Sequence, residues 1–172
     1  MSGPRVSSGK DSEQVVGTPW EFIHAVEKRW GKIEWDLAAT EDNAKAKYWL
    51  NEKQNSLVQP WHMLTDHTLT GNLWLNPPFS DISPWARKCS EESEKGAKIF
   101  FLVPASIDSN WWASYVHDQA CVLPLHPRIK FENNSSIYPK PLTLCLYNVE
   151  PIGYPGRWLW KEQKKHESLL AL

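Results

Sequence analysis

The residues whose types and spacing best suit chemistry are Asn76-Pro77-Pro78-Phe79, which directly follow the apolar run Leu73-Trp74-Leu75. That run predicts a buried strand, and open α/β sheets bind ligands at the carboxyl ends of their strands. An Asn side-chain oxygen and a proline carbonyl can accept the two hydrogens of a flat exocyclic amine, so that its lone pair leaves the ring and can attack a methyl donor. Phe79 could then stack on the ring face. For an Asn-Pro-Pro sequence alone, however, a proline-rich strand exit with Phe79 in the core is the favoured reading.

Asp36 is a second candidate for ligand chemistry. The alternating residues 33–37 predict a strand that ends near the small residues Ala38 and Ala39. A carboxylate there can accept hydrogen bonds from ribose hydroxyls or an ammonium, and small neighbours let a nucleoside approach the backbone. A solvated loop acid explains Asp36 equally well. The sequence has no GxGxxG or FxGxG loop, so it does not support a dinucleotide pyrophosphate site, whereas a nucleoside without phosphates stays open.

Asp108, Trp111 and Trp112 follow a strand predicted at residues 98–103 and fall at the same sheet edge as Asn76. They could shape a pocket or contact substrate. An acid at a helix N-terminus and two packed indoles explain them about as well.

Arg128-Ile129-Lys130-Phe131 predicts a strand with two cations on one face, and Lys140 lies beyond a polar loop. Such an arrangement suits phosphate contacts. The alternative is a half-exposed edge strand whose charges discourage pairing with another chain.

The elements that position these residues follow from helix and strand signals. Thr18-Pro19-Trp20-Glu21 predicts a capping box with Thr18 as the N-cap, and Gly31 ends the helix that follows. Further helices are predicted at 42–49, at 83–95 and after Ser109, and strands at 33–37, 72–75, 98–103, 121–125, 128–131 and 142–149. Helices that alternate with strands predict a Rossmann-like α/β layer, and the late strands predict an antiparallel end to its sheet.

Composition bounds the class of protein. The 172 residues fit one domain, predicted at 18–160, between a flexible arm at 1–17 and a polar tail at 161–172. The formal net charge of −1 gives no overall electrostatic attraction to nucleic acid, so such binding needs a local basic patch. Three cysteines without paired spacing predict reduced thiols, and six histidines without a ligand pattern predict no metal site. No apolar run is long enough for a bilayer and the N-terminus is unlike a signal peptide, so we expect a soluble intracellular protein.

Several motifs occur together in one order. They are Thr18-Pro19, Trp35-Asp36-Leu37-Ala38-Ala39-Thr40-Glu41-Asp42-Asn43-Ala44-Lys45, Gln59-Pro60-Trp61, Leu75-Asn76-Pro77-Pro78-Phe79-Ser80, Leu102-Val103-Pro104-Ala105 and Arg128-Ile129-Lys130-Phe131. From about Thr18 to Val149 the chain resembles the phage-encoded DNA N6-adenine methyltransferases, the Dam-like phage family. This order is much more specific than the Asn-Pro-Pro-Phe motif alone.

The resemblance implies a Rossmann-like, three-layer α/β methyltransferase fold that transfers a methyl group from S-adenosylmethionine to the N6 amine of a flipped adenine in DNA. It implies a cytoplasmic location in a bacterial cell or phage-infected host. The catalytic residues it implies are Asn76, Pro77, Pro78 and Phe79. The implied donor site consists of Thr18, Pro19, Trp20, Asp36, Ala38, Ala39 and Asn76. The implied substrate contacts are Ser80, Asp108, Trp111, Arg128, Lys130 and Phe131, and any sequence reading falls to loops such as 50–70 or 132–141.

Other acceptors suit the same motif, because cytosine N4, an RNA base and a protein glutamine all present planar amines. A non-catalytic nucleic-acid-binding module of the same fold is the alternative from another class. Cytosine C5 methylation is disfavoured, since it requires a nucleophilic cysteine, normally in a Pro-Cys pair, and none of the three cysteines follows a proline.

Overall fold

The computed structural model describes residues 17–152 and 156–161. The predicted arm, apart from Gly17, and the predicted tail, apart from Lys161, lie outside the described residues. The helices are α1 (Trp20–Trp30), α2 (Ser83–Glu94) and α3 (Asn110–Tyr115). The strands are β1 (Trp35–Asp36), β2 (Tyr48–Trp49), β3 (Asn72–Leu75), β4 (Lys98–Pro104), β5 (Cys121–His126), β6 (Leu142–Tyr147) and β7 (Trp158–Leu159). Short 3₁₀ turns occupy Glu52–Gln54, Ser56–Val58 and Trp61–Met63 between β2 and β3.

The strands form one mixed sheet in the order β2-β1-β3-β4-β6-β5-β7. Strands β2, β1, β3 and β4 are parallel, and β6 runs antiparallel to both of its neighbours, β4 and β5. This confirms the predicted α/β class with antiparallel C-terminal strands. From β1 the chain moves to β2 on one side and then returns to β3 on the other, so a switch in strand order lies between β1 and β3. Ligands bind at the carboxyl ends of such strands in open sheets.

Alternate residues of the central strands enter two separate core clusters, as the two faces of a sheet require. Leu73 and Leu75 of β3 join one cluster, while Trp74 between them joins the other. Helices α2 and α3 pack in the cluster of Leu73, and α1 packs in the cluster of Trp74. Trp74 and Leu75 are fully buried, so the end of β3, where Asn76 begins, is fixed from both faces.

Two predicted elements differ in the structure. Residues 42–49, predicted as a helix, form a turn followed by β2, because the Asp36 carboxylate takes the Lys45 backbone N–H and Asn43 Oδ1 takes that of Thr40 at 2.7 Å. Arg128–Phe131, predicted as a strand, is irregular. Its backbone accepts one hydrogen bond from Tyr138, at the Ile129 carbonyl and 3.1 Å long, and among the described residues it pairs with no strand.

In the described ranges, 17–152 and 156–161, no helix is long and apolar enough to cross a membrane. The same residues contain no group of three or more side chains suited to hold a metal ion.

A buried carboxylate ties the loop before β3 to α2. Glu92 has no exposed surface, and its Oε2 accepts from His62 N at 2.9 Å and lies 2.6 Å from His62 Nδ1. Its Oε1 accepts from Lys88 Nζ at 2.7 Å. Burial opposes ionisation of this carboxyl, but these hydrogen bonds outweigh it and lower the pKa of Glu92 to about 2. Glu92 therefore anchors the 3₁₀ turn at Trp61–Met63 as an ionised group.

We predict that Glu92→Ala lowers the free energy of unfolding by about 3–5 kcal/mol, because it leaves a largely buried Lys88 ammonium without its carboxylate. Chemical denaturation measures this change. Glu91→Ala is the matched control, since Glu91 forms an exposed i,i+4 pair with Arg87 and its removal should cost less than about 1 kcal/mol. Equal losses in the two variants would contradict the anchoring role.

Candidate active site

A cavity of about 320 Å³ opens at the carboxyl ends of β1 and β3, at the switch in strand order. Predicted residues from three separate parts of the sequence meet in its lining: Thr18, Asp36, Ala38, Ala39, Asn76 and Pro78. We call this cavity the strand-end cleft. The parallel register, with Asp36 opposite Trp74, places the two strand ends side by side and so brings these residues together.

Asp36 is 3% exposed at the wall of the cleft. Its Oδ2 accepts from the Lys45 backbone N–H at 3.0 Å, and its Oδ1 accepts from that of Ala38 at 3.3 Å. Burial raises the pKa of Asp36 to about 6, even though both hydrogen bonds and the charge of Lys45 favour the ionised form. The carboxylate thus folds the loop after β1 around the cleft.

The Asn76 amide is oriented by Thr18. Asn76 Nδ2 donates to Thr18 Oγ1 at 3.0 Å, and Thr18 is 1% exposed. The predicted capping box is therefore wrong: α1 begins at Trp20 with Pro19 as its N-cap, and no side chain caps it. The Thr18 hydroxyl serves the amide of Asn76 instead of the helix. The amide nitrogen points to Thr18, and Oδ1 is the acceptor atom of this amide.

Phe79 lies beyond the cleft lining, with its ring half-buried among other aromatic rings. Its ring centre is 6.1 Å from that of Phe131 and 5.6 Å from that of Tyr138, both in edge-to-face geometry. Phe131 is 4% exposed, so it supports Phe79 from the core side. Pro77 is also buried.

The remaining predicted residues lie outside the cleft lining. Pro19 is half-buried, and the Trp20 ring is 44% exposed with the Lys45 ammonium 4.8 Å from its centre. Ser80 and Asp108 are exposed, and Trp111 packs edge-to-face on Trp112. Their predicted roles in binding stay predictions.

The two predicted cations of the polar segment are exposed. Arg128 Nη1 donates to the Pro139 carbonyl at 2.9 Å, and Lys130 lies two residues further along. Arg128 also lines a second, shallow groove together with Arg157 and the exposed side chains of Ile107 and Ile137. We call this surface the basic groove.

Comparison with known proteins adds to this geometry. A family model described as "DNA N-6-adenine-methyltransferase (Dam)" matches residues 7–140. The chain is 32% identical over 95 residues to the DNA N-6-adenine-methyltransferase of Escherichia phage T1, a match that covers 55% of this chain and 37% of the phage protein. It is 26% identical over 130 residues to the DNA N-6-adenine-methyltransferase of Haemophilus phage HP1 (strain HP1c1), covering 74% of this chain and 71% of that protein.

The chain belongs to the Dam family. The family match contains every site residue predicted from the sequence, from Thr18 to Phe131, so the predicted membership in the phage Dam-like group is confirmed. The chain spans little more than a third of the phage T1 protein. Arg157 of the basic groove lies outside the family match.

Sequence reasoning missed several residues of this Dam-family cleft. Glu52 lines it just after β2, at the same edge as Asp36. Lys45 lines it through a loop that was predicted as a helix, and Trp85 reaches it from α2. The position of Glu52 in the sequence could have identified it, because it follows Asp36 by 16 residues. An acid about 20 residues after the first strand is a recurring feature of nucleoside sites in parallel sheets.

We predict that Asp36 makes folding less favourable as the pH rises. Its pKa is about 6 in the folded protein and 3.8 in its ordinary state, so the folded state holds the proton more tightly. Its contribution to the free energy of unfolding therefore has its full value below about pH 4. That contribution falls by roughly 2–3 kcal/mol as the pH rises past 6.

Asp36→Asn should remove this dependence. The measurement is the free energy of unfolding of both proteins between pH 4 and 7.5. The difference in slope between them tests the prediction, whatever their difference in overall stability. Parallel curves would contradict a raised pKa at Asp36.

Proposed function

We propose that this protein transfers a methyl group from S-adenosylmethionine to the exocyclic N6 amine of adenine in DNA. The observation that carries the proposal is that Asn76 of the Asn-Pro-Pro-Phe motif and the buried Asp36 line one cleft at the switch in strand order. Family membership supports the adenine N6 amine as the methyl acceptor, because both phage relatives are named for adenine N6 methylation of DNA. The same observations support a Rossmann-like, three-layer methyltransferase fold, with α1 in one core cluster and α2 and α3 in the other.

The lining of the strand-end cleft fits S-adenosylmethionine. The cavity of about 320 Å³ lies in the size range of small-molecule sites. Asp36 and Glu52 would accept hydrogen bonds from ribose hydroxyls or the ammonium, and their negative charge suits a cationic ligand. Leu50, Leu57 and Trp85 would supply apolar contact for a purine ring, and Ala38 and Ala39 allow close approach. When bound, the donor supplies an electrophilic methyl group on a sulfonium.

Asn76 and Pro77 would hold the target amine. With its nitrogen directed to Thr18, the Asn76 amide would present Oδ1 to one amine hydrogen, and the Pro77 carbonyl would accept the other. Both acceptors would draw the lone pair out of conjugation, so that the nitrogen could attack the methyl carbon directly as the methyl–sulfur bond breaks. The electron pair of that bond would stay on sulfur, which leaves as a neutral thioether, and the methylated amine would then lose its extra proton to water. Position and electrostatic stabilisation carry this step, and no covalent enzyme intermediate is required.

A duplex hides the adenine amine, so the base would be flipped out at a cost of a few kcal/mol. Phe79 would stack on the flipped base, and the edge-to-face contacts of Phe131 and Tyr138 would hold the Phe79 ring in place. Ser80, directly after Phe79, would contact the nucleotide backbone. Asp108 and Trp111 stay proposed contacts at the rim of the site.

The basic groove would contact the DNA backbone. Arg128 and Arg157 are exposed cations that line the groove in a chain of net charge −1, and Lys130, two residues after Arg128, is also exposed. Phosphate contacts of this kind position the duplex without reading its sequence.

We predict that Asn76→Ala lowers methyl transfer at least about 100-fold, because it deletes an acceptor that acts at the reacting amine. Donor binding should stay within a few-fold, as measured by thermal stabilisation with added S-adenosylmethionine. Asn76→Asp keeps an acceptor oxygen and should retain more activity than Asn76→Ala. The assay follows transfer into unmethylated DNA and identifies the methylated nucleoside by mass.

Near-normal transfer by Asn76→Ala would exclude the assigned role of the amide. A product other than N6-methyladenine, such as N4-methylcytosine, would keep the chemistry but overturn the acceptor. Absence of both donor binding and transfer in the wild-type protein would favour a non-catalytic module.

We predict that the double variant Arg128→Glu and Lys130→Glu binds DNA more weakly and lowers the salt slope of log K by about 2, one unit for each lost phosphate contact. Lys98→Glu is the matched control, since Lys98 is exposed at the amino end of β4, at the opposite edge of the sheet. An unchanged salt slope in the double variant would remove these two residues from the interface.

A further inference from the structure

An ion pair with a buried ammonium joins two walls of the strand-end cleft. Lys45 is 3% exposed, and its Nζ donates to both carboxylate oxygens of Glu132 at 2.9 and 2.8 Å. The Glu132 side chain is 34% exposed. Burying an ammonium for the sake of stability gains little, because a well-packed apolar side chain does as well or better. The pair therefore calls for a role other than stability.

Each partner of the pair is tied by its backbone to a different wall. The Lys45 N–H donates to Asp36, and the Glu132 N–H donates to the Gly17 carbonyl at 2.9 Å. Gly17 lies so close that a Cβ there would overlap the Glu132 carboxylate. The ion pair thus holds the segment before α1 against the loop after β1.

The next residue of that segment is Thr18, whose hydroxyl accepts from Asn76 Nδ2. Contacts therefore run without a break from Lys45 through Glu132, Gly17 and Thr18 to Asn76. The orientation of an Asn amide matters here, because a flip by 180° would present its NH₂ group, a donor, to the amine that it must accept from.

We propose that Lys45 and Glu132 are positioning residues for the reaction: their ion pair holds Thr18 in place, and Thr18 keeps the Asn76 amide in its accepting orientation. This rests on the proposed function of Asn76. Neither residue touches the reacting atoms, so both act on the rate through Asn76. Glu132 also follows Phe131, which supports Phe79, so the same pair fixes the second side of the base site.

The test compares Lys45→Met, Thr18→Val and the double variant. Lys45→Met should change the melting temperature little, since it removes the buried charge and leaves behind a Glu132 carboxylate that is 34% exposed and so keeps contact with water. Each single variant should lower kcat about tenfold or more, with KM for the donor changed less than about threefold. The double variant should lose no more than the worse single one, because both act on the same amide.

Three further variants sharpen the test. Thr18→Ser keeps the hydroxyl and should restore most of the rate. Gly17→Ala keeps both charges but displaces the Glu132 carboxylate, and it should also lower kcat. Glu91→Gln, in the exposed pair with Arg87, should leave kcat unchanged.

A second readout does not depend on activity. In protein with ¹⁵N-labelled asparagine, the side-chain NH₂ signals of Asn76, assigned through Asn76→Asp, should exchange slowly with solvent in the wild type and fast in Lys45→Met and Thr18→Val. An unchanged exchange rate in Lys45→Met, or losses of kcat that multiply in the double variant, would overturn the proposal. Wild-type protein that fails to methylate adenine would instead overturn the proposed function, and the exchange rates would still decide whether the ion pair orients Asn76.

Discussion

The structure of the site depends on the burial of the Asp36 carboxylate at the end of β1. Each of its oxygens accepts one backbone N–H, from Ala38 or from Lys45, so it turns the loop after β1 back towards β2 and leaves a cavity at the strand ends. Burying this carboxylate disfavours its ionised form, and its pKa is therefore raised to about 6. A desolvated charge is unfavourable for folding but favourable for a ligand that brings the opposite charge, so the site is built at some expense of stability.

For Glu34, two residues before Asp36, hydrogen bonds to the carboxylate outweigh the effect of burial on its pKa. Its carboxylate accepts hydrogen bonds from the backbone of Leu69, Thr70 and Gly71 and from the Thr70 hydroxyl. Burial opposes its ionisation, but these bonds outweigh it and lower its pKa to about 2. Glu34 therefore stabilises the fold at neutral pH, an effect lost as the pH falls below about 4.5 towards 2. One acid fixes the chain before β3 and the other opens the cleft after β1.

The sequence was sufficient for the parts of the fold that local patterns determine. Helix α2 between Ser83 and Gly96, the strand before Asn76 and the Ser109 cap of α3 all occur where predicted, because periodicity and capping are local. The helix prediction at 42–49 was wrong, because the conformation of this segment depends on the hydrogen bond from the Lys45 N–H to Asp36, nine residues earlier. The prediction of Thr18 as an N-cap was wrong for a similar reason, because its hydrogen-bond partner, Asn76, lies 58 residues away in the sequence. Local propensity carries no signal for such contacts.

The polarity of the cleft is consistent with a sequence that has no glycine-rich loop motif. Such loops let backbone N–H groups reach a pyrophosphate, as in dinucleotide-binding sheets. Here the N–H groups of Ala38 and Lys45 turn inward to Asp36, so they cannot bind an external phosphate. Asp36 and Glu52 would moreover repel one, whereas two carboxylates attract a cation and accept from hydroxyls. Under the proposed function, a cleft with this polarity would favour a cationic nucleoside over a nucleotide, which is the distinction that a sulfonium methyl donor requires.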